Sequence, residues 1–330
     1  MIRAALLCLL LVVPGHSAVA ACAGTDLWPT LPAEDRAAID AAVDSLAYPR
    51  GNFWRATRGE EVVHLVGTYH FDDPRHDAII ERLTPIIESA ATLLVEAGPE
   101  EQERLKSEMT RRPDRLFLVT GPTLPEQLDT ADWQALATAM QARGIPAFMA
   151  SKMQPWYVSM MLGIPPCAMA EMAEGVRGLD ARLIELAEVR RIPVRALEPY
   201  DTVFGLFDAM EPEAQVDMIL TTLAILDQAE DYSATLTEAY FNEDVRVTWE
   251  LGRRAAYDLP GKTPEGVDAD MAEMEEALMF RRNRSWIPVI EAAAAEGPAF
   301  VAFGALHLSG RDGVLALLER AGFTLERLSF

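Results

Sequence analysis

The chain has 330 residues, with 51 acidic against 29 basic side chains and a formal net charge of -22. So acidic a surface argues against nucleic acid and anionic membrane surfaces as partners, and suits a soluble exported protein or the capture of cations. Half of the residues are apolar, enough to bury a sizeable core, yet no stretch after the N-terminus is long and apolar enough for a transmembrane helix.

Residues 1–20 read as a signal peptide: Arg3, an apolar run from Ala4 to Val13, then Pro14 and Gly15, and small residues Ala18-Val19-Ala20 before the cut. The mature chain is expected to be exported, periplasmic or secreted, with 21–330 as a single domain. Cys8 leaves with the signal. Cys22 and Cys167 remain as an even pair in an oxidising compartment, which reads as a disulfide. Val19-Ala20-Ala21-Cys22 also has the outline of a lipoprotein processing site, in which Cys22 carries a lipid anchor.

Ala33 to Leu46 has helical spacing, and Phe53 to Ala56 reads as a first strand. Val62 to His70 is an apolar, β-branched run that stops at Gly67 and presents His70 three residues later. Such continuous hydrophobicity marks a strand buried on both faces. After Pro74 a helix runs through Ile79, Ile80, Leu83, Ile86 and Ile87 on one face, and Thr92 to Glu96 is a short strand ending in a carboxylate. Strand, helix and strand make a βαβ unit. By the right-handed crossover rule its strands are parallel, so His70 and Glu96 emerge at one end of the sheet.

From about 100 to 296 the pattern is mainly helical: Leu124 to Arg143, Ser151 to Pro165, a helix opened by Gly178-Leu179-Asp180, then 203–227 and 272–296. Ile192 to Leu197 interrupts it as a strand ending at Glu198. Tyr257 to Asp270, with Pro260-Gly261 and Pro264-Glu265-Gly266, reads as a loop. Phe300 to His307 then repeats the strand-Gly-x-x-His unit, followed by a helix from Gly313 to Arg320 and a last strand from Thr324 to Leu328. The expected fold class is α/β: a central parallel or mixed sheet with βαβ units and a large helical middle region.

Ligands of open α/β sheets sit at the carboxyl ends of the strands, so the two Gly-x-x-His units aim His70 and His307 into one crevice. His64 lies within a strand and reads as a core or face histidine, and His76 as a solvated surface one. Two imidazoles and Glu96 make a divalent-metal site that leaves positions for water and substrate, with Glu96 as ligand or as general base. Arg282, on a helix, either faces solvent or stabilises an oxyanion. Asp72, Asp73, Asp180 and Glu198 read as caps or salt-bridge partners. There is no His-Glu-x-x-His, Gly-x-Ser-x-Gly, phosphate loop or Cys-x-x-Cys, which removes the common metallopeptidase, serine hydrolase, NTPase and thioredoxin readings.

Gly67-Thr68-Tyr69-His70, Glu96, Pro155-Trp156, Gly178-Leu179-Asp180, Leu197-Glu198, Arg282-Asn283 and the run from Gly304 to Val314 resemble, in order, the TraB/PrgY/GumN family, whose relatives include the Tiki metalloproteases. The resemblance covers about Ala47 to the end. It implies an α/β fold related to the ChaN and erythromycin-esterase group. In the Tiki branch it implies a divalent metal, manganese or cobalt rather than zinc, and peptide hydrolysis that requires His70, His307 and Glu96. Ser309 stands where the family often has proline, and Lys152-Met153-Gln154-Pro155-Trp156 varies a commoner Lys-Pro-Trp. The expected function is an exported metal-dependent hydrolase acting on a peptide or protein. The alternatives are a non-catalytic peptide-, haem- or metal-binding protein and a metal-free His/Glu esterase.

Overall fold

Six short runs rich in apolar and β-branched residues become six strands: β1 (Phe53–Arg58), β2 (Glu61–Thr68), β3 (Thr92–Val95), β4 (Val194–Ala196), β5 (Ala299–Gly304) and β6 (Thr324–Leu328). The computed structural model describes residues 22–330 except 174, 176, 209 and 260, so the expected signal peptide lies outside the described residues. The strands form one mixed sheet in the order β4-β3-β5-β2-β1-β6. β4, β3, β5 and β2 are mutually parallel, and β1 runs antiparallel to both β2 and β6.

The register keeps the carboxyl ends of the parallel strands nearly level, with Thr68 opposite Gly304, Val95 opposite Ala302, and Val95 opposite Ala196. The last strand of the parallel set in sequence, β5, is inserted between the first two. The chain therefore passes from β2 to β3 over the place that β5 fills some two hundred residues later. This switch in strand order opens a crevice outside the carboxyl ends.

Alternation across the pleat divides the core into two layers. Leu65, Leu94, Val301 and Phe303 pack on one face with Trp286 and Ile290 of the helix Arg281–Glu296 and with Leu315 and Leu318 of Val314–Arg320. Val66, Leu93, Val95, Phe300 and Ala302 pack on the other with Ile79, Leu83 and Ile87 of His76–Glu88 and with Leu179 and Leu183 of Leu179–Arg190. Both faces of the central strands are covered, which is why those strands read as unbroken apolar runs. Gly67 is required by close approach: a Cβ there would stand 2.8 Å from the Cα of Ala305 and 2.7 Å from Leu308 Cδ1.

A separate cluster, Leu124, Leu136, Met140, Val158, Leu162 and Ile219, forms the core of the helical middle region. The expected helix over 124–143 is two, Leu124–Gln127 and Thr130–Ala142. Asp129 breaks it by accepting the Asp132 N–H at 2.8 Å as an N-cap. The expected loop over Tyr257 to Asp270 is a correction: Arg246–Tyr257 ends there, and a new helix, Pro264–Glu275, starts with Thr263 as cap and Pro264 at its first position. His76 is corrected too. It is fully buried, its ring 5.3 Å from that of Phe241 and 6.1 Å from that of Tyr240, because the helix it opens lies directly on the sheet.

Cys22 and Cys167 are joined in a disulfide that spans 145 positions of sequence. The bond takes up the Cys22 sulfur that a lipid thioether would need, so the lipid-anchor reading gives way to the disulfide. Among the described residues no helix is long and apolar enough to cross a membrane.

Candidate functional site

Four parallel strands end at the crevice, and each is followed within a few residues by an ionisable side chain: His70 after β2, Glu96 after β3, Glu198 after β4 and His307 after β5. Three of these converge on Gly304. The position where a Cβ of residue 304 would stand is 3.4 Å from Glu96 Oε1, 3.7 Å from His307 Cδ2 and 3.8 Å from His70 Nε2. The two distant Gly-x-x-His units thus meet, with the second glycine as the floor between their histidines.

His70 is the open side of the site, with 61% of its side chain accessible. Its Nδ1 lies 3.1 Å from Asp180 Oδ1. That contact depends on Gly178, where a Cβ would fall 2.3 Å from the carbonyl carbon and oxygen of His70. The Leu179 N–H also donates to the Tyr69 carbonyl at 2.9 Å. Glycine lets the start of the helix Leu179–Arg190 lie against the His70 backbone, so that Asp180 reaches the ring. The hydrogen bond to Asp180 outweighs desolvation and holds His70 above the ordinary imidazole pKa.

The other side is closed. Glu96 Oε1 accepts the Gly304 N–H at 2.7 Å, and Oε2 accepts from Arg282 Nη2 at 2.6 Å. Burial pushes this carboxyl up, but His307, Arg282, His70 and the Gly304 amide together bring it well below the ordinary carboxylate range. His307 is 6% exposed, and its Nε2 lies 4.0 Å from Glu96 Oε1 and 3.3 Å from Arg282 Nη1. Burial pushes its pKa down to about 4, so the ring is neutral near pH 7.

Arg282 is placed by the helix Arg281–Glu296 and by the π-helical turn Glu276–Phe280 that precedes it. Its Nε donates to Glu198 Oε2 at 2.9 Å, its Nη2 to Glu198 Oε1 and Glu96 Oε2 at 2.6 Å each, and its Nη1 to the Leu278 carbonyl at 3.0 Å and to His307 Nε2. All five N–H groups therefore have partners. In this arrangement Arg282 clamps Glu96 and Glu198 rather than facing solvent. Trp286 Nε1–H donates to Glu198 Oε2 at 3.0 Å and fixes the second carboxylate.

Of the residues singled out in the sequence, His70, Glu96, Arg282 and His307 come together, while His64 and His76 lie elsewhere in the sheet and its covering layer. Asp180 and Glu198 are salt-bridge partners, as their places near turns suggested, but their partners are the site residues themselves. Asn283 stands in the Arg282-Asn283 motif without a role assigned to it, and Trp286 was not foreseen. A signal existed: Met279, Asn283, Trp286 and Ile290 are the buried stripe of that stretch of helix, and Asn283 is its one polar member.

Among the described residues no group of three or more His, Cys, Asp or Glu is drawn together as a ready metal site. Arg282 stands between Glu96 and His307, and its Nη1–H occupies the Nε2 lone pair. Residues 52–327 match the model described as the TraB/PrgY/gumN family. No curated protein matches the chain.

Proposed function

The chain belongs to the TraB/PrgY/gumN family, and from that membership and the site's geometry we propose that it is an exported, metal-dependent hydrolase acting on peptides or proteins. The convergence of His70, Glu96 and His307 on Gly304 carries this reading. The donor types suit a divalent transition metal: an ionised carboxylate and the His70 Nε2 face the space at Gly304, and the His307 ring borders it with its Nε2 on Arg282. Two carboxylates, Glu96 and Glu198, flank the Arg282 guanidinium and a third, Asp180, pairs with His70, so the cluster carries an excess of negative charge that a dication would offset. His70, His307 and Glu96 would hold the ion, manganese or cobalt by the family resemblance. Bound there, it supplies a water of lowered pKa and polarises a carbonyl.

The side chains divide the remaining work. Asp180 orients the His70 ring through Nδ1 and leaves Nε2 toward the site. Glu96 offers Oε1 to the same point, as ligand or as the base that takes a proton from water. Arg282 helps keep Glu96 ionised, and its Nη1–H, which lies on His307 Nε2, is the donor placed to stabilise a developing oxyanion. The accessible His70 side is where substrate enters. The Cys22–Cys167 disulfide supports an oxidising compartment and hence export.

A peptide-library cleavage screen with the manganese- or cobalt-loaded mature protein tests the proposal. Cleavage that is lost with chelator and with His70→Ala, Glu96→Gln or His307→Ala supports it. Turnover that ignores chelation points instead to a His/Glu esterase, and saturable peptide binding with no product points to a capture protein.

A further inference from the structure

Two histidines meet at Gly304, but their outer nitrogens are held by different chemistry. His70 Nδ1 faces a carboxylate at the surface, whereas His307 Nδ1 lies 2.6 Å from Oδ1 of Asn283, a residue with no exposed surface. The Asn283 amide is itself fixed. Its Nδ2 donates to the Asp312 carbonyl at 2.9 Å and reaches the carbonyl of His307 at 3.4 Å. Carbonyl oxygens only accept, so the amide nitrogen has to face them and the amide oxygen has to face the ring. That oxygen only accepts as well. The hydrogen between Asn283 and His307 therefore belongs to Nδ1.

The far side of the ring gives the same answer independently. Arg282 Nη1, at 3.3 Å from Nε2, has hydrogens to give and no lone pair to offer, so Nε2 is the bare nitrogen. We infer that Asn283 is the positioning residue of His307: tied to the backbone of the turn after β5, it selects the Nδ1–H tautomer and leaves the bare Nε2 on the site side of the ring, where it accepts from Arg282. Residue chemistry explains the choice of amide. Aspartate would aim a second oxygen at the Asp312 carbonyl, and leucine would offer Nδ1–H nothing at all. The tautomer follows from the hydrogen bonds alone, and only its consequence for metal affinity rests on the proposed function.

The test is a long-range proton–nitrogen NMR correlation on metal-free mature protein with ¹⁵N-labelled histidine, His307 being assigned by its loss in His307→Gln. Wild type is expected to show hydrogen on Nδ1 and a bare Nε2. Asn283→Leu should mix or reverse the tautomers and weaken manganese or cobalt binding by about 10–100-fold, the usual effect of losing such a partner. Asn283→Asp, which keeps an acceptor but loses the Asp312 contact, should keep hydrogen on Nδ1 even if it is less stable. Hydrogen on Nε2 in wild type overturns the inference whether or not the variants fold, as does an unchanged tautomer in Asn283→Leu. If the tautomer follows residue 283 while wild type binds neither metal, Asn283 keeps its role and the metallohydrolase reading is the one that fails.

Discussion

Replacing Gly304 by alanine separates the site from the fold. The backbone at 304 has φ -50° and ψ 133°, ordinary values for any L residue, so the substitution brings no strain. The nearest atoms to the new methyl are 3.4 Å away at Glu96, 3.7 Å at His307 and 3.8 Å at His70, all at van der Waals distance. Reduced freedom of the unfolded chain then favours the variant by about 0.4–1 kcal/mol. The same methyl enters the space bordered by Glu96 Oε1, His70 Nε2 and the edge of the His307 ring, which an ion held by these residues would need. Gly304→Ala should therefore unfold at the same or higher urea concentration than wild type in metal-free buffer, and lose manganese or cobalt binding by more than about 100-fold, beyond the effect of losing a residue that only orients a ligand. Calorimetric titration and urea unfolding on one preparation read both quantities. Wild-type metal affinity in a stable Gly304→Ala variant would refute the reasoning, because the three donors would then meet somewhere else.

Other substitutions probe the supports of the site. Arg282→Ala leaves Glu96 and Glu198, 22% and 12% accessible at their side chains, facing each other without their shared cation. A loss of about 3 kcal/mol in urea unfolding is expected, and unchanged stability would contradict the clamp. Gly178→Ala places a methyl 2.3 Å from the His70 carbonyl, so the loop has to move. A cost of about 1–3 kcal/mol is expected, together with a fall of the His70 pKa toward 6.5 in an NMR titration as Asp180 is drawn off. In the metal-free protein His307, lowered from 6.5 to about 4, is protonated in the unfolded state first as pH falls. Stability should thus decline from pH 6.5 down to about 4, by about 3 kcal/mol, and His307→Gln should flatten that limb. His70 has the opposite sign: its raised pKa contributes stability below pH 6.5 that is lost on the alkaline side.

Much of this architecture was legible because buried parallel strands leave a strong trace. All six strands fall where apolar runs predicted them, and His70, Glu96 and His307 share the carboxyl end of the sheet because each follows such a run. The crossover rule sufficed for His70 and Glu96. The insertion of β5 between β2 and β3 did not follow, since nothing local in Ala299–Gly304 names its neighbours. Proline misled at Pro264, where it opens a helix, because the residue that ends one helix by excluding an N–H also suits the first position of the next. His76 misled because its helix turns its first residue inward, against Tyr240 and Phe241. Glu198 and Asn283 stand in the motifs that carry the family resemblance, but what each of them holds was hidden for another reason. Their roles exist only through Arg282 and His307, 84 and 24 positions away, and sequence spacing carries no such information.

The central claim is that two distant Gly-x-x-His units and a strand-end glutamate hold one ion. Elemental mass spectrometry on purified mature protein, incubated with manganese, cobalt or zinc and freed of excess, tests it most directly against the His70→Ala, His307→Ala double variant. About one ion per chain is expected in wild type and none in the double variant. Wild type free of metal under every condition, or a double variant that keeps its ion, would contradict it.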